Sequence, residues 1–434
     1  MKIVVAGAGR VGFRLAESLS ISNDVIIVDS NPDAVERAAE SLDLMAIEGS
    51  IEDPDTFKKL PGKKFDLFIA LTDSDEVNII STLIADDEIE VSKKIIRLKN
   101  PYFAKSAIAK KIGIDEAVFP YILSASSIEA VLDLPAAENV KEFPFGDYGL
   151  YSFRAKRELK IKDSEKAVAV AIERDGKIDT KNRYEIKKGD LVYVLSSKEE
   201  IKKLSCEIVG DYRQKIKTAA IFGAGRLGIE IAKSLSKRKL TIKLIDSDPK
   251  RCASASEELQ ENVMVINSRY IEKRVFEEER VVYADLVVAA EENDERNIVR
   301  SLEAKEYGIK KCVCINNNLE YYPLMHRLDL TTVRGPKTSA YYSILEKIGS
   351  DFRVSEKHFC GGSGTVLMRK IFEDSALIFK EISPLPDEEI GTFLIREGKI
   401  SPLERGTILK KGDIIAVFSN SKWEERIKKW IYTL

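Results

Sequence analysis

The chain has 434 residues, 44% of them apolar and 32% charged, the proportions of an ordinary globular protein with room for several full cores. Lysine plus arginine, 69, nearly balances aspartate plus glutamate, 71, so no net positive field exists to hold a polyphosphate backbone, and nucleic acid is not the expected partner. No apolar run approaches the roughly 20 residues that span a bilayer, no signal-peptide core precedes the first glycines, and the five scattered cysteines give neither a disulfide framework nor zinc spacing; the expected compartment is the cytosol.

In chain order, an apolar strand at Lys2 to Ala6 runs into Gly7-Ala8-Gly9-Arg10-Val11-Gly12, after which Val11, Leu15, Ala16 and Leu19 recur at helical spacing. Strands at Val25 to Val28, Leu44 to Ile47, Leu67 to Leu71 and Ile95 to Leu98 then alternate with helical stretches, the pattern of a parallel sheet wrapped by helices. A helical stretch from Pro101 to Leu134 contains a sixth strand and turn at Ile114 to Pro120, and short alternating strands follow, ending in Lys188-Gly189-Asp190. The whole pattern then recurs. Gly223-Ala224-Gly225-Arg226-Leu227-Gly228 begins 216 residues after Gly7 (223 − 7), with strands at Ala219 to Phe222, Ile242 to Ile245, Val263 to Ile266, Leu286 to Ala290 and Cys312 to Ile315. A second helical stretch, Leu319 to Ile348, and a second turn, Lys411-Gly412-Asp413, complete it. Asp29-Ser30-Asn31-Pro32 matches Asp246-Ser247-Asp248-Pro249, and Asp75-Glu76-Val77-Asn78 matches Asp294-Glu295-Arg296-Asn297. The expected fold is α/β: two tandem Rossmann-type doubly wound parallel sheets, each followed by a small α+β C-terminal lobe, at residues 1–135, 136–210, 216–350 and 351–434.

In such a turn the first glycine permits the bend, the second lets backbone approach a pyrophosphate, and the third lets the helix pack close to the sheet, while unpaired amides at the helix start face the phosphates. Asp29 stands where a carboxylate accepts both ribose hydroxyls and repels a 2′-phosphate, so the expected ligand is NAD(H) or an adenine nucleotide (ATP, ADP or AMP) rather than NADP. Arg10 reads either as a solvated side chain or as a phosphate ligand; its cost against the helix dipole favours the second. Thr72 and Asp73 follow the fourth strand, and Arg97, in the otherwise apolar fifth, needs a counter-charge from a bound phosphate or a neighbouring carboxylate. In the second copy Gly223, Ala224, Gly225, Arg226, Leu227 and Asp246 take the same roles. Aligning the repeats sets Cys314 against Arg97, Asn267 against Gly49, and Glu291-Glu292 against Thr72-Asp73. A cation is lost and an acid gained, so the second site is expected to hold anionic nucleotide more weakly or to select a differently charged ligand.

A dehydrogenase needs a proton-transfer group beside the hydride acceptor. The two histidines, His326 and His358, both fall in the second half and read as surface or packing residues; no Walker lysine and no H-E-x-x-H is present. Acidic runs such as Glu277-Glu278-Glu279 read as solvated, and Cys312 and Cys314 as buried structural thiols. Trp423, Ile427, Trp430, Ile431 and Leu434 lie near one helical face, expected to dock on its own small lobe. Neither catalytic nor metal-binding residues are assigned, and the reading is a sensor; an NAD-dependent oxidoreductase is the alternative.

The strand-GAGRVG-helix opening, Asp29, the segment Leu71 to Asn78, Arg97 before Asn100-Pro101, Gly113-Ile114-Asp115 and the two Lys-Lys-Gly-Asp turns together resemble the regulatory subunits of Trk-type potassium uptake, the TrkA family. The resemblance covers essentially the whole chain and implies two tandem RCK (KTN) modules. It implies NAD contacts at residues 7 to 11, Asp29, Thr72, Asp73 and Arg97, and in the second copy at residues 223 to 227 and Asp246. It further implies a homo-oligomeric ring, dimer or tetramer, lying at the inner face of the cell membrane and gating a separate membrane-embedded potassium-translocating subunit (TrkH-type) without enzymatic turnover. A regulator of the same module type serving another cation channel or antiporter is the alternative within that resemblance.

Overall fold

The computed structural model describes residues 1–21, 23–105, 111–210, 216–268, 274–348, 354–373 and 375–434. Part of the helical stretch expected from Pro101 (106–110) and the boundary drawn at 350/351 lie outside the described residues. Two compact units are present: Met1–Ser124 with Arg334–Gly349, and Ala125–Val333 with Ser350–Leu434.

The first unit is a six-stranded parallel sheet of β1 (Lys2–Ala6), β2 (Asp24–Asp29), β3 (Met45–Glu48), β4 (Lys64–Ala70), β5 (Glu90–Arg97) and β6 (Glu116–Val118), in the order β3-β2-β1-β4-β5-β6. The order reverses between β1 and β4, which opens a crevice beyond their carboxyl ends. The helix Arg10–Ser20 buries Val11, Gly12, Leu15, Ala16 and Leu19, the face its periodicity marks. The next helix, Pro32–Ser41, starts where Asn31 accepts a hydrogen bond from Asp33 N at 3.0 Å and proline occupies the first turn.

The helix Pro336–Lys347, from the second half of the sequence, also belongs to this unit. Ala340, Tyr341, Ile344 and Ile348 share one core with Ile3, Val5, Leu15, Ile27, Ile69 and Ile95. Tyr341 Oη lies 2.7 Å from Ser18 Oγ, Arg14 stacks 4.5 Å over the Tyr341 ring, and Lys347 pairs with Glu116 at 2.5 Å. The corresponding helix of the first half, Pro120–Asp133, makes the reciprocal move. Within the second unit, Glu129 receives a hydrogen bond from Ser234 Oγ and Asp133 pairs with Arg238 at 2.6 Å. That helix thus reaches the other repeat within the same chain. Ile128 and Val131 on this helix are fully buried, each worth about 1.5–3 kcal/mol relative to exposure.

The second unit contains the second six-stranded sheet, in the same spatial order, from Thr218–Phe222, Thr241–Asp246, Val263–Asn267, Leu286–Ala289, Lys311–Asn316 and Thr331–Arg334. It also holds two five-stranded sheets, one centred on the antiparallel strands Ala167–Arg174, Leu191–Ser197 and Tyr148–Arg154, the other on Gly364–Lys370, Ile414–Asn420 and Gly391–Arg396. Their inner faces share one core: Val170, Tyr193 and Leu195 of the first lobe pack with Phe359, Val366, Met368 and Phe418 of the second. The lysine-glycine-aspartate turns acquire a structural meaning here. Asp190 accepts from Arg174 Nε and Nη2 at 2.8 and 2.6 Å and from Lys187 N at 2.7 Å; Asp413 accepts from Arg396 at 2.8 and 2.7 Å and from Lys410 N at 2.7 Å. Each buried carboxylate thus fastens a strand start to its neighbour. The C-terminal helix Glu424–Thr433 seats Ile427 and Ile431 against Val354, Leu367 and Val417 of its own lobe. No described helix is long and apolar enough to cross a membrane.

Candidate functional site

Gly7 closes the end of β1 with φ +111°, a conformation that L side chains rarely adopt. A Cβ on Gly12 would stand 1.8 Å from the Gly7 carbonyl oxygen, so only glycine lets the helix approach this closely, and Gly228 meets Gly223 at the same 1.8 Å. Gly9 has nothing within 4 Å of where its Cβ would be. It is the N-cap of the helix Arg10–Ser20 and supplies no side-chain cap, which leaves the first-turn amides directed at open space.

That space is an open crevice of about 770 Å³, bordered by Gly7, Gly9, Arg10, Val11, Asp29, Thr72, Asp73 and Arg97. Its size falls within the range of small-molecule and cofactor sites. Every residue assigned to the first site borders it except Ala8 and Gly12, which shape the turn itself: Ala8 donates its amide to Asp29 Oδ2 at 2.6 Å, and Asn31 N donates to Oδ1 at 2.8 Å. Asp29 therefore fixes the turn to β2 and keeps lone pairs for a further donor. Thr72 and the end of β5 are joined by Asn78, whose Oδ1 accepts from Thr72 N at 2.8 Å and whose Nδ2 donates to Thr72 O and Arg97 O at 3.0 and 2.9 Å.

Arg97 is buried, with Nη1 3.3 Å from Asp73 Oδ1, yet among the described residues its Nε has no hydrogen-bond partner. Asp73 is 86% exposed and also meets Lys99 Nζ at 3.6 Å, so the counter-charge is a shared and solvated one. A buried guanidinium nitrogen left unpaired beside a crevice is costly unless an anion completes it. Arg10 is exposed and forms no ion pair among the described residues. Phosphate oxygens would serve both.

The second turn repeats the backbone but not the charges. Ala224 N donates to Asp246 Oδ2 at 2.8 Å, and Asn297 joins Glu291 to Ile315 as Asn78 joins Thr72 to Arg97. That bonding corrects the alignment: Ile315, not Cys314, stands opposite Arg97. Likewise Asp246 pairs with Asn267 as Asp29 pairs with Glu48, so Asn267 corresponds to Glu48, and Ser268 to Gly49. Each alignment was one residue out of register because apolar strand ends look alike without their hydrogen bonds. The cation is absent all the same. Arg226 lies 3.7 Å from Glu230 and 3.6 Å from Glu258, and Arg251 lies 3.3 Å from Glu292. Burial pushes the Glu291 carboxyl above its ordinary value, outweighing the nearby Arg300. Cys312 and Cys314 are buried with thiols pushed up to about 12 by desolvation, inert packing groups as expected.

Sequence reasoning missed Asn78 as an organiser, although its recurrence in both copies signalled it. It also missed the crevice residues Ser50, Glu52 and Lys337. Lys337 had no signal to find, since it is 240 residues from Arg97 (337 − 97) and arrives on the exchanged helix.

The sequence profile of the TrkA-N domain matches residues 3–120 and again 219–336, together more than half the chain. A Trk system potassium uptake protein TrkA homolog of Archaeoglobus fulgidus is 29% identical, with 98% of each chain covered. Among solved structures, the GsuK RCK domain superposes with a TM-score of 0.61 at 16% identity, over 100% of this chain and 95% of that one. The GsuK channel bound to NAD gives 0.60 at 16%, over 100% and 79%. At such identities these two likenesses establish the fold.

Proposed function

The chain belongs to the TrkA-N domain family, and from that premise we propose that it is a cytosolic regulatory subunit of potassium uptake that binds NAD(H) or an adenine nucleotide at its first glycine turn and gates a separate membrane-embedded potassium-translocating protein. The observation that carries this reading is the buried Arg97 with an unpaired Nε at the edge of a crevice that also receives the uncapped helix start and Arg10. The relatives named for Trk potassium uptake and the likeness in fold to the GsuK channel bound to NAD support it.

In this reading Gly7, Ala8, Gly9, Arg10 and Val11 hold the phosphates, Asp29 takes the ribose hydroxyls, and Thr72, Asp73 and Arg97 line the far wall. Gly223, Ala224, Gly225, Arg226, Leu227 and Asp246 offer the same cradle with less affinity for anions. A ligand shifts a conformational equilibrium only by its difference in affinity between two states. A tenfold difference per site is about 1.4 kcal/mol, and identical sites in a homo-oligomeric ring add, so a pore can be gated with no bond broken. The test is reconstitution of the full chain with a Trk-type membrane subunit in liposomes. NADH or ATP should change potassium flux, Asp29→Ala should abolish the response, and NADH absorbance should stay constant in the presence of hydroxy and amino acids. Flux indifferent to nucleotide, or oxidation of NADH, would overturn the reading.

A further inference from the structure

Both histidines of the chain sit in small clusters of candidate ligands, and the two clusters differ in what already neutralises them. In the first, Glu173 comes from the first small lobe, His326 from the short helix Tyr322–Arg327, and Cys360 from the turn opening the second small lobe. One ligand atom from each lies within 4.8 Å of the other two. His326 Nε2 is 2.7 Å from Glu173 Oε2, and both side chains are more than four-fifths buried. Cys360 is 5% exposed and holds φ +50°, a left-handed conformation unusual for cysteine, with Gly361 and Gly362 also at positive φ. A Cβ on Gly361 would lie 3.3 Å from His326 Cβ and Cδ2, so the turn is wedged against the imidazole.

The surroundings resemble a second layer of support. Tyr193 Oη donates to Glu173 Oε2 at 3.1 Å and accepts from Cys360 N at 3.1 Å, which fixes both the carboxylate and the turn. A pocket of about 20 Å³, enough for a single water-sized species, borders His326 and Tyr193 beside the cluster. In the other cluster, Glu356, His358 and Glu424, the ammonium of Lys428 already stands 2.9 Å from Glu356 and 2.7 Å from Glu424. No lysine or arginine is paired with Glu173 among the described residues.

We propose that Glu173, His326 and Cys360 bind one thiophilic divalent cation, zinc(II) being the best match, and that the ion ties the first small lobe to the second half of the chain. The donor set is one thiolate, one imidazole and one carboxylate, three protein ligands that leave a fourth tetrahedral position for a water molecule. As the metal–sulfur bond forms, the thiol proton leaves to solvent; His326 gives up its hydrogen bond with Glu173, its ring proton passes by exchange with solvent from Nε2 to Nδ1, and the freed Nε2 lone pair turns to the ion. A dication with one thiolate and one carboxylate is neutral, so no bare charge is left in the buried setting. Without metal, burial holds the Cys360 thiol well above its ordinary value, and Glu173 serves as acceptor for its neighbours; coordination reverses that state.

The experiment is titration of the metal-free full chain with cobalt(II), then zinc(II). One equivalent of cobalt should bind with thiolate-to-metal charge-transfer absorption in the near ultraviolet, and zinc should remove the band. Cys360→Ser should abolish it, His326→Ala should weaken binding at least about tenfold, since even losing a ligand's supporting partner costs that much, and the exposed-cysteine variant Cys206→Ser and His358→Ala should leave it unchanged. Glu173→Gln, which keeps the hydrogen-bonding shape, should weaken binding too and tests the site even if Cys360→Ser does not fold. Absence of the band in the parent chain, or its persistence in Cys360→Ser, would overturn the proposal.

Discussion

At the first glycine turn Asp29 receives the Ala8 amide at 2.6 Å, and at the second Asp246 receives the Ala224 amide at 2.8 Å; Asn78 and Asn297 then tie the same pair of strand ends. Around these equal backbones the side chains diverge. Among the described residues Arg10 has no ion-pair partner where Arg226 is engaged by Glu230 and Glu258; Ile315 occupies the place of the buried Arg97, and the half-buried Glu291 that of Thr72. Duplication preserved the backbone scaffold of the turn and changed the charges around it. Scaffold and affinity are therefore separable, and each substitution below acts on one of them.

The largest effect should be common to both copies. Gly12→Val and Gly228→Val each drive a Cβ to 1.8 Å from a carbonyl oxygen that belongs to the turn itself, an overpacking that costs about 3 kcal/mol or more because backbone must move. Urea unfolding should show comparable losses for the two. A loss confined to one copy would mean that the turns are not equivalent in packing. Next in size, Arg97→Met should weaken NADH or ATP binding by about 2 kcal/mol, roughly thirtyfold, the worth of charge-assisted hydrogen bonds to a buried guanidinium. Calorimetric titration of the full chain would read it; unchanged affinity would remove Arg97 from the site.

A smaller effect distinguishes Glu291 from its counterpart Thr72. Folding raises the Glu291 carboxyl, chiefly through burial, so the folded chain holds that proton more tightly than the unfolded one. The resulting cost is absent below the unfolded value, near 4.3, and grows as pH rises through the folded value. Glu291→Gln should therefore raise the melting temperature at neutral pH, with a gain that fades as pH falls below the ordinary glutamate range. A gain independent of pH would point to packing instead.

Much of this was legible in the sequence because it is local or repeated. The glycine turns, the carboxylate at the end of β2 and the apolar face of Val11, Leu15, Ala16 and Leu19 each follow from spacing alone. What was not legible is long-range. Lys337 reaches the first crevice on a helix exchanged from the second repeat, and Glu173, His326 and Cys360 meet from segments 153 and 34 residues apart (326 − 173, 360 − 326). The one-residue slips at Cys314 and Asn267 have a related cause: strand registry is set by bonds such as Asn297 Nδ2 to Ile315 O, which a string of apolar letters does not display.

The smallest effect concerns the carboxylate that competes with a ligand for Arg97. Asp73 is largely exposed and lies 3.3 Å from Arg97 and 3.6 Å from Lys99. Such a solvated pair is worth less than about 1 kcal/mol. If a nucleotide phosphate displaces it, Asp73→Asn removes a competitor without emptying the crevice, and affinity should rise about two- to fourfold, more at low ionic strength than at high because the interaction is screened. If instead Asp73 itself touches the ligand, as the resemblance to the family implies, the same substitution should lower affinity and alter the ranking of NADH against ATP. Titrations of both ligands at two salt concentrations separate these outcomes, and an effect in neither direction would place Asp73 outside the site.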